Sequence, residues 1–158
     1  MHNLKEKQLE NTIRIIQNHF GKFEVDTSKE LAFPNGLIGM NMATKFALVP
    51  CPIEKFKDFM VLQSLQNDDL ALMVQPINDI NSSDYHEGAE LTNSAKAIGI
   101  DPLSTAVVLV ISLKEEEGLK KLVVNARAPI FIDATNMTAF QYVLTNPNYK
   151  IQENVILG

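Results

Sequence analysis

The strongest constraint on the fold is a series of short segments in which apolar and polar residues alternate. Residues 22–26 read Lys-Phe-Glu-Val-Asp, so their apolar side chains fall on one side of an extended chain. Turn-forming residues, such as Pro-Asn-Gly at 34–36, separate these segments. The spacing predicts about nine or ten short strands. The segments that fit are 12–16, 22–26, 31–33, 46–49, 59–65, 70–74, 105–113, 119–126, 130–132 and 137–144, and residues 151–157 could form a last strand.

One segment fits a helix better than a strand. Residues 89–98 are followed by Gly99, which suits the position just after a helix, and Pro102 lies where a helix could not continue. The preceding residues 78–88 are rich in Asn, Asp and Ser and predict the longest loop. Many strands, one short helix and no alternation of the two predict an all-β fold, a small antiparallel barrel-like domain.

The length and the cysteine content set the domain organisation and the compartment. A chain of 158 residues suits one domain. We expect that domain to span residues 12–158, after a polar extension at 1–11 whose composition permits disorder. Cys51 is the only cysteine, which excludes an internal disulfide. Neither a usual secretory signal nor an apolar run of membrane-spanning length is present, so we expect a cytoplasmic protein.

The charge pattern argues against direct binding of nucleic acid. Nineteen acidic and fourteen basic residues give a net charge of −5. A nucleic-acid-binding protein normally carries a clustered basic surface, and here Lys120 and Lys121 are offset by the acidic run at 115–117. If charge guides a partner to this chain, that partner is expected to be basic.

Residues that could support catalysis are few and isolated. None of the three histidines, His2, His19 and His86, is spaced from another so as to share a metal ion. Cys51 has no histidine or cation beside it in sequence to activate its thiol. The glycines form neither a phosphate-binding loop nor a nucleophile elbow. We therefore expect no enzymatic activity and no cofactor or metal.

Four short motifs follow one another along the chain. They are F-P-N-G-L-I-G at 33–39, preceded by F-G-K-F-E-V at 20–25; L-Q-S-L at 62–65 with D-L-A-L at 69–72; V-N-A-R-A-P-I at 124–130; and Q-Y-V-L at 141–144 with a later Tyr149. Together they resemble the pattern of the FliW family, bacterial flagellar assembly factors. The resemblance extends over nearly the whole chain, and the shared order of the motifs makes it specific.

The chain departs from the family pattern at a few positions. Met40 stands where the family usually has Phe, and both are large apolar side chains. In the third motif, Ala126 replaces a Leu and Arg127 replaces a Lys, which keeps the charge but changes the geometry of donation. About a dozen N-terminal residues are additional to the family core.

The resemblance implies a function in partner switching. FliW-like proteins bind flagellin in the cytoplasm and also bind CsrA, the carbon storage regulator, a small RNA-binding repressor of flagellin translation. Free FliW antagonises CsrA, and accumulated flagellin occupies FliW. Such a switch requires negative coupling between the two partners. Flagellin segments that form amphipathic helices would require an apolar groove or an exposed strand edge.

Eight residues are our candidates for partner binding on this basis. Leu37 and Ile38 are apolar beside a turn, although core packing is the alternative. Asp68 and Asp69 are an acidic pair at a loop tip, which could equally be a solvated hairpin. The remaining candidates are Gln63 and Ser64, which could instead hydrogen-bond the adjacent hairpin, and Asn125 and Arg127, expected on one face of a strand, with an ion pair to a local carboxylate as the alternative for Arg127.

Two other kinds of small β-barrel compete with this interpretation. An RNA-binding barrel predicts basic and aromatic residues interleaved on its strands, a pattern that we do not find. A barrel that binds a small molecule such as a flavin predicts several cations around a phosphate, and the chain has only two arginines, Arg14 and Arg127.

Overall fold

The computed structural model describes residues 12–157. The predicted N-terminal extension at 1–11 lies outside the described residues. Within them the chain forms eleven strands and one α-helix, and the all-β prediction is confirmed. The elements are β1 Ile13–Asn18, β2 Gly21–Asp26, β3 Leu31–Ala32, β4 Lys45–Pro50, β5 Met60–Ser64, β6 Ala71–Ile77, α1 Glu90–Ala97, β7 Thr105–Glu116, β8 Leu119–Val124, β9 Ile130–Asp133, β10 Thr138–Gln141 and β11 Glu153–Asn154.

Seven of the described strands close into a barrel. They follow one another in the order β7-β6-β5-β4-β3-β10-β9, and β9 pairs back onto β7 to complete the ring. Closure removes the exposed edges that an open sheet would present. The pairing of β10 with β3 is parallel, at Thr138 and Ala32, which is an exception within the predicted antiparallel barrel. The other pairings are antiparallel.

Along one of its edges, the longest strand, β7, pairs with two different strands. Its first half, Thr105 to Val108, pairs with β9, and its second half, from Ile111, pairs with β8. The second half and β8 therefore form a hairpin that projects beyond the barrel, and β11 adds to the outer edge of β8. Only the segment from Val107 to Leu109 is buried on both faces of the strand. Leu113 is exposed because it lies on the projecting hairpin.

Two layers of apolar packing result from the alternation of side chains along the strands. Inward-facing side chains such as Phe33, Phe46 and Leu62 fill the barrel. Outward-facing side chains are buried under other elements. The β1–β2 hairpin packs Ile16 on the outside of β4, and α1 covers the barrel with Leu91, which belongs to the same cluster as Phe131 of β9.

Several element boundaries differ from the predictions. Pro50 was expected outside the strands, but it is the last residue of β4 and pairs with Met60. Pro76 lies in the part of β6 that has no partner in β5, because the β5–β6 pairing ends at Val74. Its missing N–H therefore costs no hydrogen bond on the β5 side. The strand predicted at 119–126 ends at Val124. The predicted helix is present, and Gly99 follows it with a φ of 81°. No helix among residues 12–157 is long and apolar enough to cross a membrane.

Candidate protein-binding site

All eight candidate residues lie in, or directly before, segments that meet at one end of the barrel, here called the loop end; Gln63 and Ser64 are the last two residues of β5. This end is formed by residues 33–44, residues 65–70 and residues 125–129. The strand register places them together, because Ala32 pairs with Lys45, Gln63 with Ala71, and Gln141 with Ile130. Segments that are distant in sequence are thus neighbours in space.

Gln63 is the centre of a buried hydrogen-bond network at the loop end. Its side chain is fully buried on the outside of the barrel, beneath the β1–β2 hairpin. The amide Nε2 lies within donor range of the carbonyl oxygens of Ser64, Asp68 and Leu70, at 3.0, 3.1 and 3.3 Å. The Oε1 atom accepts a hydrogen bond of 2.9 Å from Asn18. Gln63 therefore fixes the course of the 65–70 loop and joins it to the hairpin.

Ser64 supports the same loop from its other side. Its side chain is buried, and its Oγ atom accepts hydrogen bonds of 3.1 Å from the backbone N–H groups of Gln66 and Asn67. Gln66 in turn accepts hydrogen bonds from the backbone of Thr44 and Lys45, at 3.0 and 3.3 Å. The 65–70 loop and the 33–44 loop are therefore held against each other.

The two aspartates at the tip of the 65–70 loop differ in their ion pairing. Asp68 lies 3.5 Å from the guanidinium of Arg14, which also donates to the carbonyl oxygen of Leu65 at 3.3 Å. The exposed side chain of Asp69 forms no salt bridge within residues 12–157. Of the two, only Asp69 offers a carboxylate that is not already engaged by the chain itself.

The apolar pair in the 33–44 loop is split between the core and the surface. Leu37 is buried in the barrel core, whereas Ile38 is 53% exposed. The loop turns at Gly36, which has a φ of 66° and lies so close to Asn41 that an added Cβ would stand 2.6 Å from its backbone. This turn projects Ile38 outward.

Gln141 joins this loop to the third segment of the loop end. Its Oε1 atom accepts a hydrogen bond of 2.9 Å from the N–H of Ile38, and its Nε2 atom donates to the carbonyl oxygen of Ala128 at 3.2 Å. Gln141 belongs to the fourth motif but was not among the candidates. Its role could not be read from the sequence because both of its partners are backbone groups of distant segments.

Asn125 and Arg127 do not share a strand face, contrary to the prediction. The strand ends at Val124, and the Oδ1 atom of Asn125 accepts hydrogen bonds from the N–H groups of Arg127 and Ala128, at 3.1 and 3.0 Å. An Asn side chain that captures nearby N–H groups stabilises a turn in place of a strand ladder. Arg127 is half-buried and forms no salt bridge within the described residues.

An apolar groove that the sequence did not predict lies on the outer wall of the barrel. It measures about 340 Å³ and lies between the tip of the β1–β2 hairpin, the β4–β5 connection and the projecting β7–β8 hairpin. No acidic side chain lines it. Its main side chains are His19, Phe20, Ile53, Phe56, Met73, Ile111, Leu113 and Leu122.

The opposite end of the barrel carries polar features. A cavity of about 830 Å³ lies beside Tyr85, whose hydroxyl accepts a hydrogen bond of 2.6 Å from the N–H of Ile156. His86, in contrast, is buried against the 125–129 segment of the loop end. It lies between Ser83 and the carbonyl oxygen of Ala126, at 2.7 Å from each, and burial lowers its pKa below the ordinary histidine value. Within residues 12–157, no group of three or more His, Cys, Asp or Glu residues could hold a metal ion.

Comparison with known proteins agrees with the motifs. The sequence model of the FliW protein family matches residues 14–155. The flagellar assembly factor FliW of Natranaerobius thermophilus is 29% identical over 141 residues, which cover 87% of this chain and 88% of that protein. The FliW of Oceanobacillus iheyensis is 30% identical over 143 residues, with 90% and 94% covered.

A solved structure shares the fold. The crystal structure of a flagellar assembly factor FliW superposes with a TM-score of 0.66 at 20% identity, and the match covers 92% of this chain and 99% of the other. The family match spans nearly all of the residues that form the barrel, its hairpins and the loop end. The chain therefore belongs to the FliW family of flagellar assembly factors.

Proposed function

We propose that this flagellar assembly factor acts by binding and without catalysis, as a cytoplasmic switch between flagellin and CsrA. In the absence of free flagellin it antagonises CsrA and permits flagellin translation. The observation that carries the proposal is the convergence of the family motifs. Those at 33–39, 62–72, 124–130 and 141–144 are far apart in sequence, yet they all contribute to the loop end. A surface assembled from separate segments is typical of a protein-binding site on a rigid scaffold.

The charge of the loop end suits a basic partner. Asp69 is exposed and has no salt bridge within residues 12–157, and the chain as a whole carries a net charge of −5. A protein that binds RNA, as CsrA does, must present basic surface. We assign CsrA to the loop end, with Asp69 as the electrostatic contact and Ile38 as an apolar contact.

The other candidates take supporting roles in this proposal. Gln63, Ser64 and Leu37 are buried, so they act by holding the loops that present Asp69 and Ile38. Asn125 shapes the turn that contains Arg127. Arg127 is the cationic group of the loop end and would meet a carboxylate of the partner.

The test is a binding titration of the purified full chain against purified CsrA and purified flagellin, first singly and then in competition. We expect both partners to bind, and we expect saturating flagellin to lower the apparent affinity for CsrA. A reporter of flagellin translation should rise when the chain is added to a mixture that contains CsrA. Absence of binding to both partners would refute the proposal.

A further inference from the structure

The backbone of Arg127 is hydrogen-bonded within the chain, whereas its cation has no partner there. The N–H of Arg127 donates to the side chain of Asn125 at 3.1 Å, and its carbonyl oxygen accepts from the N–H of Leu144 at 2.7 Å. The guanidinium forms no salt bridge within residues 12–157, and its buried Nε atom has no hydrogen-bond partner in that range. A cation on a fixed backbone is preorganised for a ligand, because less freedom is lost when the ligand binds.

The carbonyl group that precedes Arg127, that of Ala126, is held by a buried histidine. The Nε2 atom of His86 lies 2.7 Å from this carbonyl oxygen, and the Nδ1 atom lies 2.7 Å from the Oγ atom of Ser83. A carbonyl oxygen only accepts hydrogen bonds, so Nε2 carries the hydrogen, and in the neutral ring Nδ1 accepts from the serine hydroxyl. Burial lowers the pKa of His86, which favours this neutral form.

Contacts on both sides of His86 hold the ring in place. The hydroxyl of Tyr85 donates to the Oε1 atom of Gln75 in β6 at 2.6 Å. On the other side, the N–H of Glu87 donates to the hydroxyl of Tyr149 at 3.2 Å. The buried ring of Tyr149 lies 5.1 Å from the imidazole, measured between ring centres. The group that holds the carbonyl oxygen is therefore itself fixed by the surrounding structure.

We propose that His86 is a positioning residue for partner binding: it holds the carbonyl group of Ala126 and thereby orients Arg127 toward a carboxylate of CsrA. This inference rests on the proposed function, which places CsrA at the loop end. His86 is only 7% exposed, so it acts through Arg127 and not by contact with the partner. The 78–88 loop thus contributes to the loop end through a residue that the partner does not touch.

Two amide side chains separate the position of the donor from the loss of the histidine. Glutamine places its amide nitrogen near the position of Nε2, so His86→Gln retains a donor for the carbonyl oxygen of Ala126. Asparagine is shorter by one methylene group and places its nitrogen near Nδ1, so His86→Asn loses this bond. Tyr85→Phe is the control for disturbance of the loop, because it removes a bonded hydroxyl from the adjacent residue and leaves the bond to Ala126 in place.

We expect His86→Asn to weaken binding of purified CsrA about fivefold in a calorimetric titration, and His86→Gln to stay within about twofold of the unchanged chain. Tyr85→Phe should also stay within about twofold. Arg127→Ala alone should weaken binding about tenfold. In the Arg127→Ala background, His86→Asn should add less than about twofold, because the group through which it acts is gone.

Thermal unfolding of each variant establishes that it is folded at the temperature of the titration. If His86→Asn does not fold, Ser83→Ala takes its place as the milder variant. It removes the hydroxyl that fixes Nδ1 and leaves the donor to Ala126 present, so the ring is less firmly oriented. We expect Ser83→Ala to weaken CsrA binding about threefold in the unchanged chain and to have no further effect in the Arg127→Ala background.

Three results would overturn the inference while leaving the proposed function intact. The first is unchanged CsrA binding by the folded variant, His86→Asn or Ser83→Ala. The second is an equal loss with and without the Arg127 side chain, which would assign His86 a purely structural role. The third is unchanged binding by Arg127→Ala, since His86 would then have no contact to position. Failure of the unchanged chain to bind either partner would instead refute the proposed function.

Discussion

The 65–70 loop and the apolar groove lie side by side, yet they are held by different forces. The loop takes its shape from hydrogen bonds to the fully buried Gln63 and to Ser64, while its tip is polar and exposed. The groove takes its shape from the packing of outward-facing side chains on β6 and β7, including Met73 and Ile111. Directional bonds specify one geometry, whereas apolar packing tolerates several occupants of similar shape.

This difference predicts where substitutions affect folding and where they affect binding. A buried polar side chain that bonds several groups cannot be replaced by an apolar one without leaving those groups without hydrogen-bond partners, so its loss destabilises the fold. An exposed apolar wall is not needed for the fold, so its loss affects only a partner. Each experiment below tests one side of this contrast.

The largest effect is expected from Gln63→Leu. The substitution keeps the approximate volume but leaves the Nδ2 atom of Asn18 and the carbonyl oxygens of Asp68 and Leu70 without this partner. We expect a loss of about 3 kcal/mol in the free energy of unfolding, measured by chemical denaturation. Thermal unfolding should shift by about 10 °C. A loss below about 0.5 kcal/mol, the range of ordinary surface changes, would show that apolar packing alone holds the loop.

A smaller effect, on binding alone, is expected from Asp69→Lys. Reversal of this exposed charge should weaken the affinity for CsrA by about tenfold at low salt, and the difference should shrink as salt is added. Asp58→Lys is the control, because Asp58 is also exposed and lies in the β4–β5 connection at the opposite end of the barrel. Equal effects of the two substitutions would mean that net charge, and not the loop end, guides the partner.

Asn18→Ala tests whether the two regions communicate. The substitution removes the hydrogen bonds that tie the groove wall at Phe20 to the acidic loop at Asp68. The factor by which saturating flagellin lowers the affinity for CsrA should fall severalfold, while each partner alone still binds. Titrations of CsrA with and without flagellin measure this factor. An unchanged factor would indicate that the partners exclude one another by direct overlap.

The smallest effect is expected for the stability of Leu113→Ala. Leu113 is mostly exposed, so the free energy of unfolding should change by no more than about 0.5 kcal/mol. Denaturant titration of this variant beside Gln63→Leu measures the contrast directly. A loss comparable to that of Gln63→Leu would mean that the groove wall at Leu113 is part of the folding core.

The extent to which the fold could be predicted varies from element to element. The β5–β6 hairpin was predicted because apolar runs flank the polar residues 66–69, and the helix was predicted because Gly99 ends it. The terminal strand was predicted at 151–157, but β11 is only Glu153–Asn154, because its length depends on pairing with β8. The parallel contact of β3 with β10 left no local signal, since closure of the barrel creates it.

The candidate site could be predicted only in part. The motifs pointed to segments that do meet. They did not show that Leu37 is buried while Ile38 is exposed, or that Asp68 pairs with Arg14 while Asp69 does not. These pairs differ in burial and in the presence of Arg14, which comes from a strand about 50 residues away. The groove was missed because its walls come from separate segments, none of which carries an unusual pattern.

The sequence by itself determined the strand-rich class, the turn at Gly36 and the membership of the FliW family. These depend on local periodicity, on one backbone conformation and on ordered motifs. The tertiary structure decided the closure of the barrel, the burial of Gln63 and the formation of the apolar groove. The physical reason is that register and closure bring residues of distant segments into contact, and those contacts then determine which polar groups are satisfied and which apolar side chains stay exposed.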